Sequence, residues 1–521
     1  MAAPSDRASA DSAAVMKSPF DVDDVKMDAA GSGGAPMAVI DLEARPSALG
    51  SGLSQRLSAL GQNLSHRISA LSHQMDEHGL TRISAVKVLT DDKDTVTEPG
   101  RAGWIEVTLH LITVMFGAGV LGLPYAMASQ GWALGICMLA LATGASAYSA
   151  FLLAELHTLR DGRRVRTLRA LGEEIWGNRG RRWIVTLQLI DMVGGSLIYT
   201  VVGGTSIMNI INQCVGANGA ACDNHEYKTW PWTICFGGAM ILLSQFPDFH
   251  ALTLVSFVGA VMPIVYASIA FISILVHGQV ENVDYSMIQK SDTVSTVMNV
   301  FSGIGAMYYA YGGQVVQNEV TAMVKAPPKV IQSMRKALSV TYTVIGISYF
   351  AVAIAGFAMF GNTVTGNVLQ SLSSEGAAIA ANIAVLLHVG AAFQAFSMTV
   401  YLMLEEQVTK RNWLPKPIAR RPWVFRFTIR TLYVVIVTFF AALIPFFNQL
   451  SGLKGGACMV PLCFIIPVAL WSSYNKGYTA SKLRLAFNYA LIAVLAAIAA
   501  VATVGSIYKI IKSASTFQVF A

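Results

Sequence analysis

The chain has 521 residues, of which 54% are hydrophobic and 13% are charged, and its formal net charge is +7. Soluble domains carry about 25% charged residues, so this composition argues against a soluble protein. We expect the basic charge to lie in loops between membrane spans rather than on a surface that binds nucleic acid.

The N-terminal segment, residues 1–100, is polar and rich in Ser, Ala and Asp. It has no early apolar segment of the kind that opens a secretory signal peptide, so we predict a cytosolic, largely disordered tail. Within 53–75 the octapeptide LSQRLSAL from Leu53 recurs as LSHRISAL from Leu64. Such spacing suits an amphipathic helix. Two interpretations stand: a weakly helical part of a disordered tail, or a regulatory helix at the membrane surface.

Long apolar blocks follow this tail. A helix of about 20 residues crosses a hydrocarbon layer about 30 Å thick, and backbone in lipid must satisfy its own hydrogen bonds. The fold class is therefore all-α and multi-pass, with a membrane domain over 101–513 and a short C-terminal tail over 514–521. We predict eleven spans, at 104–128, 131–158, 183–212, 230–246, 249–276, 294–324, 337–361, 377–405, 427–446, 453–474 and 484–508.

Lys and Arg are concentrated in the segments after predicted spans 2, 6, 8 and 10. Cytosolic segments of membrane proteins carry such an excess, so the pattern predicts a cytosolic N-terminus and, with eleven spans, an external C-terminus. Residues 160–182 are then cytosolic and residues 213–229 external. We place Lys454 at the edge of an external segment. Lys509 and Lys512 do not fit the pattern, because they fall at the predicted external end of the chain.

Predicted span 1 contains Gly117, Gly119, Gly122 and Pro124 in its middle. Small residues allow helices to pack closely, which is one interpretation. The other is a break in the helix, because glycine is a poor helix former and proline removes a backbone donor. A break at mid-membrane leaves N–H and C=O groups available for a small zwitterion or an ion. The substrate-binding residues predicted here are Gly117, Ala118 and Gly119.

Predicted span 6 is also interrupted by glycines, and the residues leave open whether it breaks at Gly303–Gly305 or at Gly312–Gly313. Spans 1 and 6 are five apart, so spans 1–5 and 6–10 are predicted to be two inverted halves with discontinuous helices in corresponding positions. The substrate-binding residues predicted in this span are Tyr308, Tyr309, Tyr311 and Gly312.

The sequence gives little support for a function other than transport. The sequence contains no nucleophilic triad, metal-binding cluster or phosphate-binding Gly-Lys-Ser/Thr motif, so we expect neither an enzyme nor an ATP-driven pump, and no cofactor. Cys214 and Cys222 fall in the predicted external segment after span 3. That compartment permits disulfides, and the two are a candidate pair.

A family resemblance rests on several motifs in one order: the string from His110 to Trp132, the string YGGQVV from Tyr311 with Glu319, and the stretch 349–362. The chain resembles plant lysine/histidine transporters of the amino acid/auxin permease family over roughly residues 100–510. The resemblance implies a five-plus-five, leucine-transporter-like core with an eleventh helix. It also implies uptake of amino acids with protons, and a span 6 break near Tyr308–Gly313. The chain departs from the family at Gln314, where a histidine is usual.

Five side chains are candidates for ion coupling. His110 matches a histidine linked to proton coupling in related transporters, and we expect it buried in apolar surroundings near the break. The alternative for His110 and for His388 is a hydrogen-bonded core histidine, and for Glu319 a solvated or salt-bridged carboxylate. Ser397 and Thr399 are candidate hydroxyls for an ion site between spans 1 and 8, or ordinary packing residues.

The predicted function is secondary active transport of amino acids, proton-coupled and by alternating access. The partners are an amino acid, a proton or sodium ion, and the lipid bilayer. The alternatives are a sodium-coupled carrier, an auxin-type carrier, and an amino acid sensor that does not transport. We expect the plasma membrane as the location, with a vacuolar or other endomembrane as the alternative.

Overall fold

The computed structural model describes residues 100–217, 228–245, 253–290, 292–326, 329–372, 374–410, 422–478 and 480–516. The predicted tail repeat at 53–75 lies outside these residues. Within them the chain is helical apart from turns, irregular loops and three isolated bridges. The α-helices are α1 (Trp104–Met115), α2 (Leu123–Leu156), α3 (Leu168–Ala217), α4 (Thr229–Leu243), α5 (Thr253–His277), α6 (Thr293–Tyr309), α7 (Gln314–Ala322), α8 (Val330–Phe360), α9 (Glu375–Lys410), α10 (Pro422–Leu443), α11 (Phe447–Lys454), α12 (Ile466–Asn475) and α13 (Lys482–Thr516).

Seven of the described helical segments are long and apolar enough to cross a membrane. Three shorter helices are also apolar: Trp104–Met115, Thr229–Leu243 and Val261–His277. The predicted all-α, multi-pass fold class is therefore confirmed. The count of eleven spans and their arrangement as two inverted halves stay predictions.

Glycines in the left-handed region interrupt two of the long helices. Gly131, with φ 73°, lies at the predicted boundary between spans 1 and 2, and only glycine adopts this conformation without strain. Gly177, with φ 67°, interrupts α3. Part of the predicted loop 160–182 is therefore helical, which corrects the sequence interpretation. The reason is that Leu168 and Leu171 bury their side chains and make this short stretch amphipathic.

Predicted span 10 begins earlier than expected. The helix starts at Phe447, continues from Lys454 into a π-helix over Gly455–Ile465, and ends as α12. Lys454 is buried inside this span and does not lie at an external edge, so that assignment was wrong. A lysine marks a water interface when it is solvated, but here its charge is matched by a carboxylate within the bundle.

Several basic segments meet at one end of the bundle, which we call the basic end. Arg160 stacks on Tyr474 with its guanidinium carbon 4.5 Å from the ring centroid. Arg335 and Arg484 each pair with Glu155, at 3.2 and 3.4 Å. These contacts join the segments after predicted spans 2, 6 and 10, as the alternation of basic loops requires. The compartment that this end faces stays a prediction.

The two lysines that run against the alternation have polar partners near the start of α6. Lys512 pairs with Asp292 at 2.9 Å, and the Nζ of Lys509 donates to Asn299 at 2.5 Å. Asp292 thus neutralises the charge of Lys512. This lysine therefore says little about which side of the membrane its segment faces.

Candidate substrate site at two helix breaks

The first break separates α1 from α2. α1 ends at Met115, Phe116 and Gly117 are extended, and a 3₁₀ turn over Ala118–Gly122 leads into α2. Gly117 is half-buried, and no atom lies within 4 Å of the place where a Cβ would stand. A helix start leaves its first N–H groups without intrahelical partners. The break therefore presents N–H donors beside open space.

The second break separates α6 from α7. α6 ends at Tyr309 and α7 begins at Gln314, and the residues between them make turn-type backbone hydrogen bonds of 3.0–3.3 Å. Of the two positions that the sequence left open, the break lies at the second. Gly303 and Gly305 are inside α6, where they allow close packing against neighbouring elements.

The two breaks touch each other. A Cβ on Gly119 would stand 2.7 Å from the Cα of Ala310, which is closer than real Cβ contacts come. A Cβ on Gly313 would overlap the side chain of Met115. The absence of side chains at these two glycines lets the interrupted helices approach backbone to backbone, and it brings the two predicted halves of the substrate site together.

Tyr349 of α8 links the breaks from one side. Its hydroxyl lies 3.0 Å from the carbonyl oxygens of both Met115 and Ala310. Its ring packs against Phe116 and Tyr311, with centroids 5.3 and 5.0 Å apart. A tyrosine hydroxyl has one proton to donate, so it can satisfy one break carbonyl at a time. Sequence reasoning gave this residue no role, although it lies in a motif that carries the family resemblance.

The predicted site tyrosines are buried around the second break. The ring of Tyr308 packs on Phe464 at 5.1 Å, and the hydroxyl of Tyr311 lies 2.6 Å from that of Thr143. Tyr309 faces Lys454, whose Nζ is 5.2 Å from the ring centroid. These contacts place aromatic side chains next to the break, as the sequence predicts, and each of them also packs against a neighbouring span.

Gln314, which stands where the resembled family usually has a histidine, is fully buried at the start of α7. Its amide nitrogen donates to the hydroxyl of Ser146 at 2.8 Å and to that of Tyr342 at 3.1 Å. These contacts anchor α7 on α2 and α8. The substitution therefore has a positioning role at the break.

Two of the predicted coupling residues are exposed. His110 lies on an outer face of α1 beside Leu109, and Glu319 is exposed on α7. The expectation of a buried imidazole at position 110 was wrong. The break leaves α1 as a short separate helix that buries one face through Val107 and Leu111 and exposes the other.

The remaining coupling candidates lie on α9. His388 is buried between Tyr199 and Tyr266, and its Nδ1 is 2.8 Å from the carbonyl oxygen of Gly259, as the core-histidine interpretation requires. The Ser397 hydroxyl is buried 3.2 Å from that of Ser196 on α3. Its observed neighbour therefore belongs to predicted span 3 and not to span 1. Thr399 is half-buried.

The structure also contains a buried ion pair that sequence reasoning missed. Asp191 of α3 and Lys454 of α11 lie 3.1 Å apart, with side chains 1% and 4% exposed. A signal was present, since an ionisable residue inside an apolar span is a functional candidate by default. The sequence analysis placed Lys454 at the edge of an external segment and gave Asp191 no role.

The predicted disulfide lies outside the site. Cys222 lies outside the described residues, so its pairing with Cys214 stays a prediction. In the part of the chain that the structure describes, no group of three or more His, Cys, Asp or Glu side chains is arranged to hold a metal ion.

Comparison with solved structures gives distant matches. The crystal structure of MhsT in complex with L-phenylalanine matches with a TM-score of 0.47 and 13% identity, covering 78% of this chain and 100% of that one. A manganese transporter of Eremococcus coleocola matches with a TM-score of 0.46 and 11% identity, covering 80% and 91%.

Comparison by sequence gives closer relatives. Lysine histidine transporter-like 1 of Arabidopsis thaliana is 34% identical over 401 residues, covering 76% of this chain and 85% of the relative. Lysine histidine transporter-like 6 of the same plant is 32% identical, covering 82% and 96%. Amino acid permease 2 is 28% identical, covering 70% and 79%. A family model described as transmembrane amino acid transporter protein matches residues 100–512. The chain therefore belongs to the transmembrane amino acid transporter family.

Proposed function

We propose that the protein is a secondary active transporter that imports amino acids together with protons by alternating access. The observation that carries this proposal is the contact between the two breaks at Gly119 and Ala310. Two interrupted helices that meet within an apolar bundle supply polar backbone groups without a charged side chain, and this suits a small zwitterion.

The backbone polarity at each break indicates how the substrate would be oriented. The N–H groups of Gly117, Ala118 and Gly119 lead into α2, and a helix start favours a carboxylate. The carbonyl end of α6, next to Tyr309, favours an ammonium group. The tyrosines at positions 308, 309 and 311, with Gly312, would then shape the space for the amino acid side chain.

Relatives named lysine histidine transporter-like and amino acid permease support an amino acid as the cargo. We place the basic end in the cytosol because cytosolic segments carry the excess of Lys and Arg. Inward transport would then move the substrate toward the end that holds Arg160, Arg335 and Arg484.

Uptake in cells that lack their own amino acid carriers tests the proposal. We expect concentrative uptake of a labelled amino acid that rises as the external pH falls from about 7.5 to about 5.5 and persists without sodium, because a larger inward proton gradient gives a proton-coupled carrier more driving force. A competition panel of unlabelled amino acids then defines the substrate range. Binding without flux would indicate a sensor, and uptake that ignores pH but needs sodium would contradict proton coupling.

A further inference from the structure

The Asp191–Lys454 pair lies in helices that cross the membrane domain, and Asp191 stands about one and a half turns of α3 before Ser196, which contacts Ser397. Lys454 Nζ stands 5.2 Å from the ring centroid of Tyr309 and 5.1 Å from that of Phe396. The pair is therefore adjacent to the end of α6, where the second break begins. None of the coupling candidates suggested by the sequence belongs to it.

Among the described residues around Asp191, Lys454 is the one that balances its negative charge. The other titratable groups that interact with Asp191 are the hydroxyls of Tyr199 and Tyr309 and the thiols of Cys458 and Cys463. With reference pKa values of about 10 and 8.5, these groups are neutral near pH 7. Lys454 is thus the one cation among the described residues that balances the carboxylate.

Asp191 depends on this balance. An ionised carboxylate offers about four acceptor positions, yet neither of its oxygens accepts a hydrogen bond of good geometry from the described residues. The 3.1 Å contact with Lys454 is an ion pair by distance. A buried charge that loses its partner costs several kcal/mol, and in practice such a group is neutralised by changing its protonation state.

The backbone next to Lys454 is in close contact with the broken helix α6. Gly455 follows Lys454 directly, and a Cβ on Gly455 would overlap the carbonyl of Gly305 in α6. α11 and α6 are therefore in backbone contact. The π-helix that starts at Gly455 has a rare hydrogen-bonding pattern that is frequently found at functional sites. A shift of α6 during gating would carry Lys454 with it, while Asp191 stays on α3.

We propose that Asp191 is the proton-binding site of the transport cycle and that Lys454 is its counter-ion. When α6 and α11 move relative to α3, Lys454 withdraws and a proton from the open side binds a carboxylate oxygen of Asp191. When the pair re-forms, that proton leaves to the other side. Coupling follows because the two conformations have different proton affinities. This inference rests on the proposed function.

The test uses the full-length protein reconstituted in vesicles. Exchange of labelled amino acid without a gradient is measured beside accumulation driven by an acid exterior. The double variant Asp191→Asn/Lys454→Met leaves no unpaired charge. We expect it to exchange at a reduced rate, to lose accumulation about tenfold or more, and to lose its response between about pH 5.5 and about pH 7.5.

A second ion pair, between buried Arg430 and half-buried Glu405, provides the control, and Glu405 also lies 3.7 Å from Arg426. Arg430 and Glu405 lie 3.2 Å apart, with side chains 3% and 14% exposed. The variant Glu405→Gln/Arg430→Met should keep pH-driven accumulation. If the Asp191/Lys454 double variant fails to assemble, Asp191→Glu takes its place, and it should shift the pH midpoint of accumulation because it moves the carboxylate relative to Lys454.

Four results would overturn the inference. Accumulation with an unchanged pH profile in the double variant, or in Asp191→Glu, would make the pair structural. Loss of pH dependence in His110→Ala, with the double variant unaffected, would move coupling to His110. Neither exchange nor accumulation in the wild type would refute the proposed function itself, and the inference would fall with it. Exchange in the wild type without any pH-driven accumulation would refute proton coupling and the proton site with it, and would leave amino acid transport standing.

Discussion

Gly119 is the residue on which the contact between the two breaks depends. A methyl group there would stand 2.7 Å from the Cα of Ala310. Because this is a backbone atom, no side-chain rotation can relieve the contact. Over-packing of this kind typically costs about 1–3 kcal/mol. Gly119→Ala should therefore push the breaks apart and reduce amino acid uptake about tenfold or more, while the protein still reaches the membrane.

Gly144→Ala is the matched control for that substitution. Gly144 lies in α2, and no atom stands within 4 Å of its Cβ position. Its variant should take up amino acids within about twofold of the wild type, since alanine is the better helix former. Equal uptake by the two variants would show that the close approach of the breaks is not needed for transport.

His157 carries a pH prediction that concerns stability and not transport. It follows α2 outside the spanning segments and is fully buried. Burial, helped by the positive charge of Arg164, lowers its pKa from 6.5 to about 4. The folded state thus holds a neutral imidazole. The stability that depends on it is fully present above pH 6.5 and is lost as the pH falls toward 4, because the unfolded state binds more protons.

The variant His157→Gln removes this proton binding. Between pH 7.5 and pH 5 the wild type should lose about 2 kcal/mol of stability through this residue, and the variant should lose less. Thermal unfolding in detergent at the two pH values measures the difference. Parallel pH dependence in the two proteins would show that His157 is not buried as a neutral side chain.

At the scale of elements, the segment before α1 is tied to the segment after α7. Ala102 forms a parallel bridge with Val324, and its N–H donates to the carbonyl of Met323 at 2.9 Å. Arg164 adds hydrogen bonds to the carbonyls of Ala322 and Val324, at 3.2 Å each. The two half-helices on the basic side of the breaks are therefore held together at their outer ends, where a gate toward that side would open.

Fixing that tie by a covalent bond should stop the transport cycle. Bridged backbones lie about 4.8 Å apart, within the Cα separation that a disulfide spans. In the double variant Ala102→Cys/Val324→Cys, oxidation should lower uptake about tenfold, since a closed gate blocks alternating access, and a reductant should restore it. Each single cysteine variant is the control. Unchanged uptake in the cross-linked protein would show that the contact between Ala102 and Val324 does not need to open during transport.

The sequence predicted the broken helices better than it predicted the charges. A glycine in a membrane span either allows a close contact with another helix or interrupts its own helix. The residues that surround it in the folded protein decide which of the two occurs. Gly305 lies against α11, whereas Gly313 lies at the break. Asp191 and Lys454 are far apart in the chain, so the sequence does not show that they form a pair. The exposure of His110 does not follow from the sequence pattern. It arises because the break makes α1 a short separate helix with one exposed face.

At the scale of the whole molecule, charges are segregated by depth. The described ion pairs of Glu155 with Arg335 and Arg484 lie at the basic end, and the pair of Lys512 with Asp292 lies near the start of α6. The Asp191–Lys454 pair lies inside the bundle beside the second break. Ionisable residues within a span are expensive and mark pathways for ions and substrates. This arrangement fits a carrier whose polar site at mid-span is closed in turn toward each end.

The measurement that tests this account most directly is uptake by the purified protein in sealed lipid vesicles. Labelled lysine, histidine and alanine are supplied outside, with the exterior acidic and the interior near neutral. Accumulation of at least one of them above its external concentration is predicted, with collapse when a protonophore removes the gradient, because the proton affinity differs between the two conformations. Equilibration to the external concentration whatever the pH gradient, or accumulation driven by a sodium gradient alone, would contradict it.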